Sequence, residues 1–138
     1  MTADYGADLE LFVNGSWRAG EGRDSQPVVN PATGAAMADL PLATAADLDE
    51  ALASAEKGFA LWRATDVDAR AAILHKAADL LRERVESIAV TLTMEQGKPI
   101  GEARGEVLSS AGFLDYAAEE AKRIYGRVLV RPTGQRAI

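Results

Sequence analysis

His75 is the only histidine in the chain and the first residue whose type suggests catalysis or metal binding, because imidazole titrates near neutral pH. The 138 residues contain no cysteine. Neither a second histidine nor a thiolate is therefore available to complete a transition-metal site, and a disulfide and a cysteine nucleophile are excluded within this chain. The neighbours at helical spacing, Ala71, Asp79 and Arg82, predict that His75 is a solvated surface residue.

Two glycine-containing segments have a superficial likeness to phosphate-binding loops. Residues 96–99 read Gln-Gly-Lys-Pro, but they lack the earlier glycine and the serine or threonine that a phosphate loop requires. Residues 20–22 read Gly-Glu-Gly, without the third glycine of a dinucleotide fingerprint and with a carboxylate that would repel a pyrophosphate. Both segments are predicted to hold turn and cap glycines.

Neighbouring carboxylates are also candidates for acid–base chemistry. The pair Asp47 and Asp49 and the pair Glu119 and Glu120 show no adjacent histidine or apolar pocket in the sequence, so we interpret both pairs as surface charge.

Gly101, Gly105 and Gly112 recur at helical spacing, although each glycine costs about 1 kcal/mol relative to alanine inside a helix. Close approach by another helix or strand is the favoured explanation. A smooth wall beside a substrate passage is the alternative.

Charge and hydropathy limit the partners of the chain. The formal net charge is −6, and all 21 acidic residues lie before position 122, whereas residues 122–138 carry five basic ones. The acidic body argues against nucleic acid and anionic membrane as main partners, and the basic tail is predicted to be a surface strand. No apolar run approaches the ~18 residues of a membrane helix, and the first eight residues do not resemble a signal peptide, so we expect a cytoplasmic protein.

Short strands are predicted for the first third of the chain. Asn14 and Gly15 between apolar residues predict a hairpin turn. Residues 27–29 and 36–42 are predicted to be extended on either side of the turn-rich residues 30–34, with Pro41 stopping the second strand.

Helices are predicted over roughly 44–62, 66–96 with a break near Arg84, and 99–124. Thr44 and Asp47 resemble a capping box, Gly97 is a predicted helix stop, and Pro99 a predicted first helical residue. The apolar stripes predict that the following large side chains are buried: Phe59, Trp62, Ile73, Leu81, Ile88 and Leu114.

Residues 127–131 alternate like a strand and are followed by the turn residues 132–134. Since a lone strand is unstable, this strand must pair with the N-terminal strands, with residues beyond 138 or with another subunit.

Several segments, in register from about residue 10 to 138, resemble the start of the aldehyde dehydrogenase superfamily. The segments are 11–17 (Leu-Phe-Val-Asn-Gly-Ser-Trp), 29–34 (Val-Asn-Pro-Ala-Thr-Gly), 41–48 (Pro-Leu-Ala-Thr-Ala-Ala-Asp-Leu), 93–107 and 113–126. The last two are similar to the succinate-semialdehyde dehydrogenases. The resemblance implies an α/β family fold, of which this chain is the N-terminal part: a small β-hairpin and strand region, three to four helices and a final strand.

The resemblance also implies a mechanism that uses NAD or NADP and a covalent thioester. A cysteine thiolate attacks the aldehyde, hydride passes to the nicotinamide, and water activated by a glutamate hydrolyses the thioester. The family's cysteine, glutamate, asparagine and cofactor-binding strands all correspond to positions after 138. The chain alone is therefore expected to bind no cofactor and to be inactive, as if cut off before the catalytic residues.

The resemblance assigns residues 1–125 to the N-terminal part of the cofactor-binding domain and residues 126–138 to the start of a strand element that joins subunits of a homo-oligomer. Residues 127–131 are expected to leave the body of the domain and not to pair with residues 11–18. Some family members also hold a structural monovalent cation, and the equivalent ligands here are the Glu95 carboxylate and the backbone carbonyl near Val28. The alternative is a non-enzymatic interaction module derived from this family and docking through its basic tail.

Overall fold

The computed structural model describes Tyr5 and residues 9–126, 129–130 and 136–137. Two antiparallel hairpins open the chain. Strands β1 (Leu11–Val13) and β2 (Ser16–Arg18) are joined by Asn14 and Gly15, whose φ angles of 52° and 79° confirm the predicted turn. Strands β3 (Ser25–Val29) and β4 (Ala36–Pro41) form the second hairpin, with an irregularity between Val28 and Val29. Pro41 is the last residue of β4, as predicted.

Four helices follow: α1 (Ala45–Ala64), α2 (Val67–Glu83), α3 (Val85–Gln96) and α4 (Ile100–Ala121). The Thr44 side chain accepts a hydrogen bond from the Asp47 N–H while the Asp47 carboxylate accepts one from the Thr44 N–H, so the predicted capping box starts α1. Arg84 separates α2 from α3, at the predicted break.

The boundaries of α4 differ slightly from the prediction. Pro99 has extended ψ (139°) and is the cap residue rather than the first helical residue; its carbonyl accepts hydrogen bonds from the N–H groups of Glu102 and Ala103. The helix ends at Ala121 rather than near 124.

Gly97 ends α3 in the left-handed conformation, with φ of 73°. A Cβ atom at this position would lie 3.0 Å from the Cγ atom of Pro31. The turn between β3 and β4 therefore packs against the end of α3, and both the conformation and the close approach favour glycine.

The core consists mainly of small side chains on the helices. Helix α4 packs most extensively against α2 and next against α3, whereas α1 packs chiefly against β1. The buried apolar residues are Val13, Ala71, Ala78, Ala89, Ala103, Val107, Ala111 and Ala118. Alanine lets helix axes approach closely, and this core is built from small rather than large side chains.

The prediction that six large side chains form the core was wrong. Phe59, Trp62 and Ile73 are exposed, with relative accessibilities of 63%, 39% and 54%. Leu81, Ile88 and Leu114 are only half-buried. Phe59 and Trp62 lie on α1, which packs chiefly against β1 rather than against another helix. In α2, α3 and α4, which bury alanines, the apolar stripe of large residues need not be the face that meets the neighbouring helix.

Strands β5 (Leu129–Val130) and β6 (Arg136–Ala137) form a third antiparallel pair. The partner of β5 is thus a strand of the same chain, which none of the three alternatives predicted from the sequence included. The remaining residues of the predicted strand 127–131 and of the turn 132–134 lie outside the described residues.

None of the helices in the described part of the chain combines the length and apolar character needed to cross a bilayer.

Candidate functional site

The Glu95 carboxylate, a predicted cation ligand, is exposed near the end of α3. It accepts a hydrogen bond from the Tyr5 hydroxyl. This bond holds the tyrosine in its protonated form, and the nearby negative charge adds to the effect, so the pKa of Tyr5 rises to about 12. Val28, the other predicted ligand, is half-buried on β3. The Tyr5 contact was not predicted, because no local pattern links residues 90 positions apart.

In the described ranges, no three histidine, aspartate or glutamate side chains are grouped so that they could hold a metal ion. A monovalent cation at Glu95 would need further oxygen ligands, such as backbone carbonyls. The turn that follows β3 contacts the end of α3 through Pro31 and Gly97, and the Val28 and Glu95 site stays a prediction.

His75 is not the freely solvated residue that the sequence predicted. Its Nδ1 atom lies 2.7 Å from Oδ1 of Asp115 and its Nε2 atom 3.1 Å from Oε1 of Glu119, both on α4. Its side chain is 40% accessible. Ala71, one of the neighbours from which the sequence predicts a solvated His75, is buried. The helical phase of α2 was therefore misassigned, and the face that carries His75 meets α4.

The prediction that the carboxylate pairs are surface charge holds only in part. Asp49 and Glu119 are exposed, although Glu119 contacts His75, whereas Asp47 is buried. Arg18 Nη1 lies 2.8 Å from Asp47 Oδ1, and Arg23 Nη1 lies 2.6 Å from Asp47 Oδ2. The hydrogen bonds from Arg23 and Thr44 hold the pKa of Asp47 far below its usual range.

The Asp47 ion cluster connects the first hairpin to α1. Arg18 also donates to Glu50, with 2.7 Å between Nη2 and Oε2, and Asn14 donates to the other Glu50 oxygen at 3.2 Å. Every charged group in this cluster has an opposite charge within contact distance. The arrangement suits a structural joint and offers no free nucleophile or base.

The glycines of α4 lie on its outer surface. A Cβ atom added at Gly101, Gly105 or Gly112 would meet nothing within 4 Å. Gly112 lines a shallow depression with Ser109, Phe113 and Tyr116. No element of the described chain makes the close approach that the favoured explanation requires, and both explanations of the glycines stay open.

The two candidate phosphate segments are confirmed as turns and caps. Gly97 caps α3, Gly22 has a positive φ of 74° in a turn, and Lys98 forms an ion pair with Glu106. The sheets of the described residues are three separate two-stranded antiparallel hairpins. A dinucleotide cradle of the glycine-rich kind needs a turn between a parallel strand and a helix, and the described residues contain no such turn.

The chain belongs to the aldehyde dehydrogenase family, whose sequence model matches residues 17–138. It is 43% identical over 120 residues to 4-(hydroxymethyl)benzenesulfonate dehydrogenase TsaD1 of Comamonas testosteroni, covering 87% of this chain and 25% of that protein. It is 36% identical over 117 residues to the NADP(+) succinate-semialdehyde dehydrogenase GabD of Escherichia coli, covering 85% of this chain and 24% of that protein.

A solved structure shows the same fold. The aldehyde dehydrogenase from Brucella melitensis biovar abortus 2308 superposes with a TM-score of 0.85 at 41% identity, covering 92% of this chain and 26% of that one. The α/β family fold expected from the resemblance is therefore confirmed, and the chain spans about a quarter of the length of the relatives it matches.

Proposed function

We propose that this chain is the N-terminal segment of an NAD- or NADP-dependent aldehyde dehydrogenase that oxidises an aldehyde to a carboxylate through a thioester. The observation that carries the proposal is the family match over residues 17–138. Because none of the 138 residues is a cysteine, the thiolate that such a mechanism requires has to come from a part of the protein beyond these residues.

In the proposed enzyme, the 138 residues of this chain act as a scaffold. Residues 1–125 form the N-terminal part of the cofactor-binding domain, and residues 126–138 begin the strand element that joins subunits into a homo-oligomer. The end of α4 at Ala121 and the separate β5–β6 pair after it support a boundary in this region. Glu95 and the Val28 carbonyl are the proposed ligands of a structural monovalent cation, and the cytoplasm is the proposed location.

Succinate semialdehyde is the proposed first substrate to test. The E. coli relative is named for it, and residues 93–107 and 113–126 resemble that group. The Comamonas relative is named for a different, aromatic compound. A substrate panel therefore has to include both an aliphatic semialdehyde and a benzaldehyde.

A chimera tests whether the segment supports catalysis. The matching N-terminal segment of the E. coli enzyme is replaced by residues 17–138, and NADP reduction is followed with succinate semialdehyde and with a benzaldehyde. We expect turnover with the semialdehyde, abolished when the catalytic cysteine of the E. coli part is changed to serine. A chimera that assembles like the parent enzyme but oxidises neither aldehyde contradicts the proposal.

The gene sequence after the codon for Ile138 separates this proposal from an interaction module. An in-frame continuation encoding a cysteine and a glutamate at the family's spacing supports the enzyme. A stop codon directly after Ile138 supports the interaction module.

A further inference from the structure

His75 of α2 bridges two carboxylates of α4, one with each ring nitrogen. The Nδ1 atom is 2.7 Å from an Asp115 oxygen and the Nε2 atom is 3.1 Å from a Glu119 oxygen. Asp115 and Glu119 are four residues apart on α4, so their side chains lie on the same side of that helix. The imidazole ring spans the distance between them.

Only the protonated ring satisfies both contacts. A neutral imidazole has one N–H donor and one bare nitrogen, whereas an imidazolium has two donors. An ionised carboxylate is an acceptor only. If His75 were neutral, one of the two nitrogens would turn a lone pair towards a carboxylate oxygen, and that contact would become repulsive.

The charged groups around His75 do not remove the need for a protonated ring. On α2, Arg82 donates to Asp115 and lies 3.4 Å from Asp79. At the end of α4, the cap residue Lys122 lies 2.9 Å from Glu119. Helix α3 packs against α4 as well, but its Glu86 pairs with Arg104 rather than with these groups. Each of the two α4 carboxylates thus contacts His75 and one permanent cation.

We propose that His75 is a proton-operated latch between α2 and α4: when it is protonated it holds Asp115 and Glu119 together against α2, and loss of its proton releases one carboxylate and weakens the joint. A metal ion does not explain the geometry, because its ligands would have to converge on one point, whereas these carboxylates lie at opposite nitrogens. The latch acts on the helix whose outer face carries Phe113 and Tyr116.

The directions of the pKa shifts of His75, Asp115 and Glu119 agree with the latch. The bond to Asp115, followed by that to Glu119, holds the pKa of His75 above its ordinary value. Arg82 and then His75 lower the pKa of Asp115, and Lys122 and then His75 lower the pKa of Glu119. The contribution of His75 is fully present below its unfolded pKa of about 6.5 and is lost as pH rises through the folded value. At the acidic end it is lost as the two carboxylates are protonated.

Nuclear magnetic resonance provides a direct test, since His75 is the only histidine of the 138-residue chain. The ring proton resonances are titrated in buffer and in concentrated urea, so that the unfolded chain is its own reference. We expect a higher titration midpoint in buffer, and a return to the urea midpoint in the double variant Asp115→Asn with Glu119→Gln. Equal midpoints in buffer and urea, or a lower one in buffer, overturn the proposal.

Three variants separate the latch from general effects of charge on stability. His75→Arg keeps a cation with several donors at every pH from 5 to about 9, so its melting temperature should stay level where that of the parent falls. His75→Gln should melt lower than the parent at pH 5 and approach it at high pH. Lys76→Gln removes a charge from an exposed neighbour and should keep the parent's pH dependence. Parallel pH profiles for the parent and His75→Gln contradict the latch.

Discussion

The two faces of α4 differ in a way that the composition of the helix does not suggest. The inner face carries Ala103, Ala111 and Ala118, each with 0% accessibility, and packs against α2 and α3. The outer face carries Phe113 at 73% and Tyr116 at 64% accessibility, together with the three glycines. The smallest apolar residues are therefore buried and the largest are exposed.

This difference in side-chain size indicates the role of each face of α4. An alanine face gives close helix contact and tolerates little change in volume. A contiguous apolar surface on the other side is unusual for a face that remains in water. We propose that further parts of the complete enzyme cover this outer face.

The largest change in the free energy of unfolding is expected when an alanine on the inner face of α4 is enlarged. We expect Ala111→Leu to lower the free energy of unfolding by about 1–3 kcal/mol, because the added atoms have no space between α4 and its neighbours. Ser110→Leu, at an exposed position of the same helix, should change it by less than about 0.5 kcal/mol. Urea denaturation of both variants measures this difference, and equal losses would contradict the assignment of the inner face.

Replacing Gly97 and Gly105 by alanine should change the stability of the chain in opposite directions. Gly97→Ala should cost about 1–2 kcal/mol, because alanine disfavours the left-handed conformation, and its Cβ atom would also meet Pro31. Gly105→Ala should stabilise the chain by about 0.5–1 kcal/mol, because the position is helical and open. Thermal unfolding of the chain tests both signs.

The same Gly105→Ala change in the complete protein separates the two explanations of the glycines. Loss of stability there favours close approach by another element. Unchanged stability with an altered KM for the aldehyde favours a wall beside the substrate passage.

The smallest change in stability is expected for a substitution on the outer face of α4. Phe113→Ser should alter the stability of the 138-residue chain by no more than about 0.5 kcal/mol, because the ring is already largely exposed. In the complete protein the same substitution should cost more, because the proposed covering parts bury the ring. A loss above 2 kcal/mol in the chain alone would show that Phe113 belongs to its core.

The sequence predicted the local elements well and the long-range contacts poorly. The Asn14–Gly15 turn, the Thr44–Asp47 capping box and the Gly97 helix stop are determined by nearby residues, and the structure confirms all three. The buried residues were mispredicted because alanine occurs on surfaces as well as in close helix contacts, so apolar periodicity selected the larger side chains.

The charged contacts were missed for a related reason. The ion pairs of Arg18 and Arg23 with Asp47, and of His75 with Asp115, join residues 24 to 40 positions apart. Their partners are fixed only once the helices have packed. The capping-box position of Asp47 was predicted from the sequence, but nothing local to Asp47 indicates its two arginine partners.

The central claim is that these residues form the scaffold of an aldehyde dehydrogenase and not its catalytic centre. The most direct measurement is reduction of NAD or NADP by the purified 138-residue chain in the presence of succinate semialdehyde, with a heat-treated sample as control. The account predicts no turnover above that control, since the chain has no cysteine to form the thioester. Aldehyde-dependent cofactor reduction that heating abolishes would contradict it.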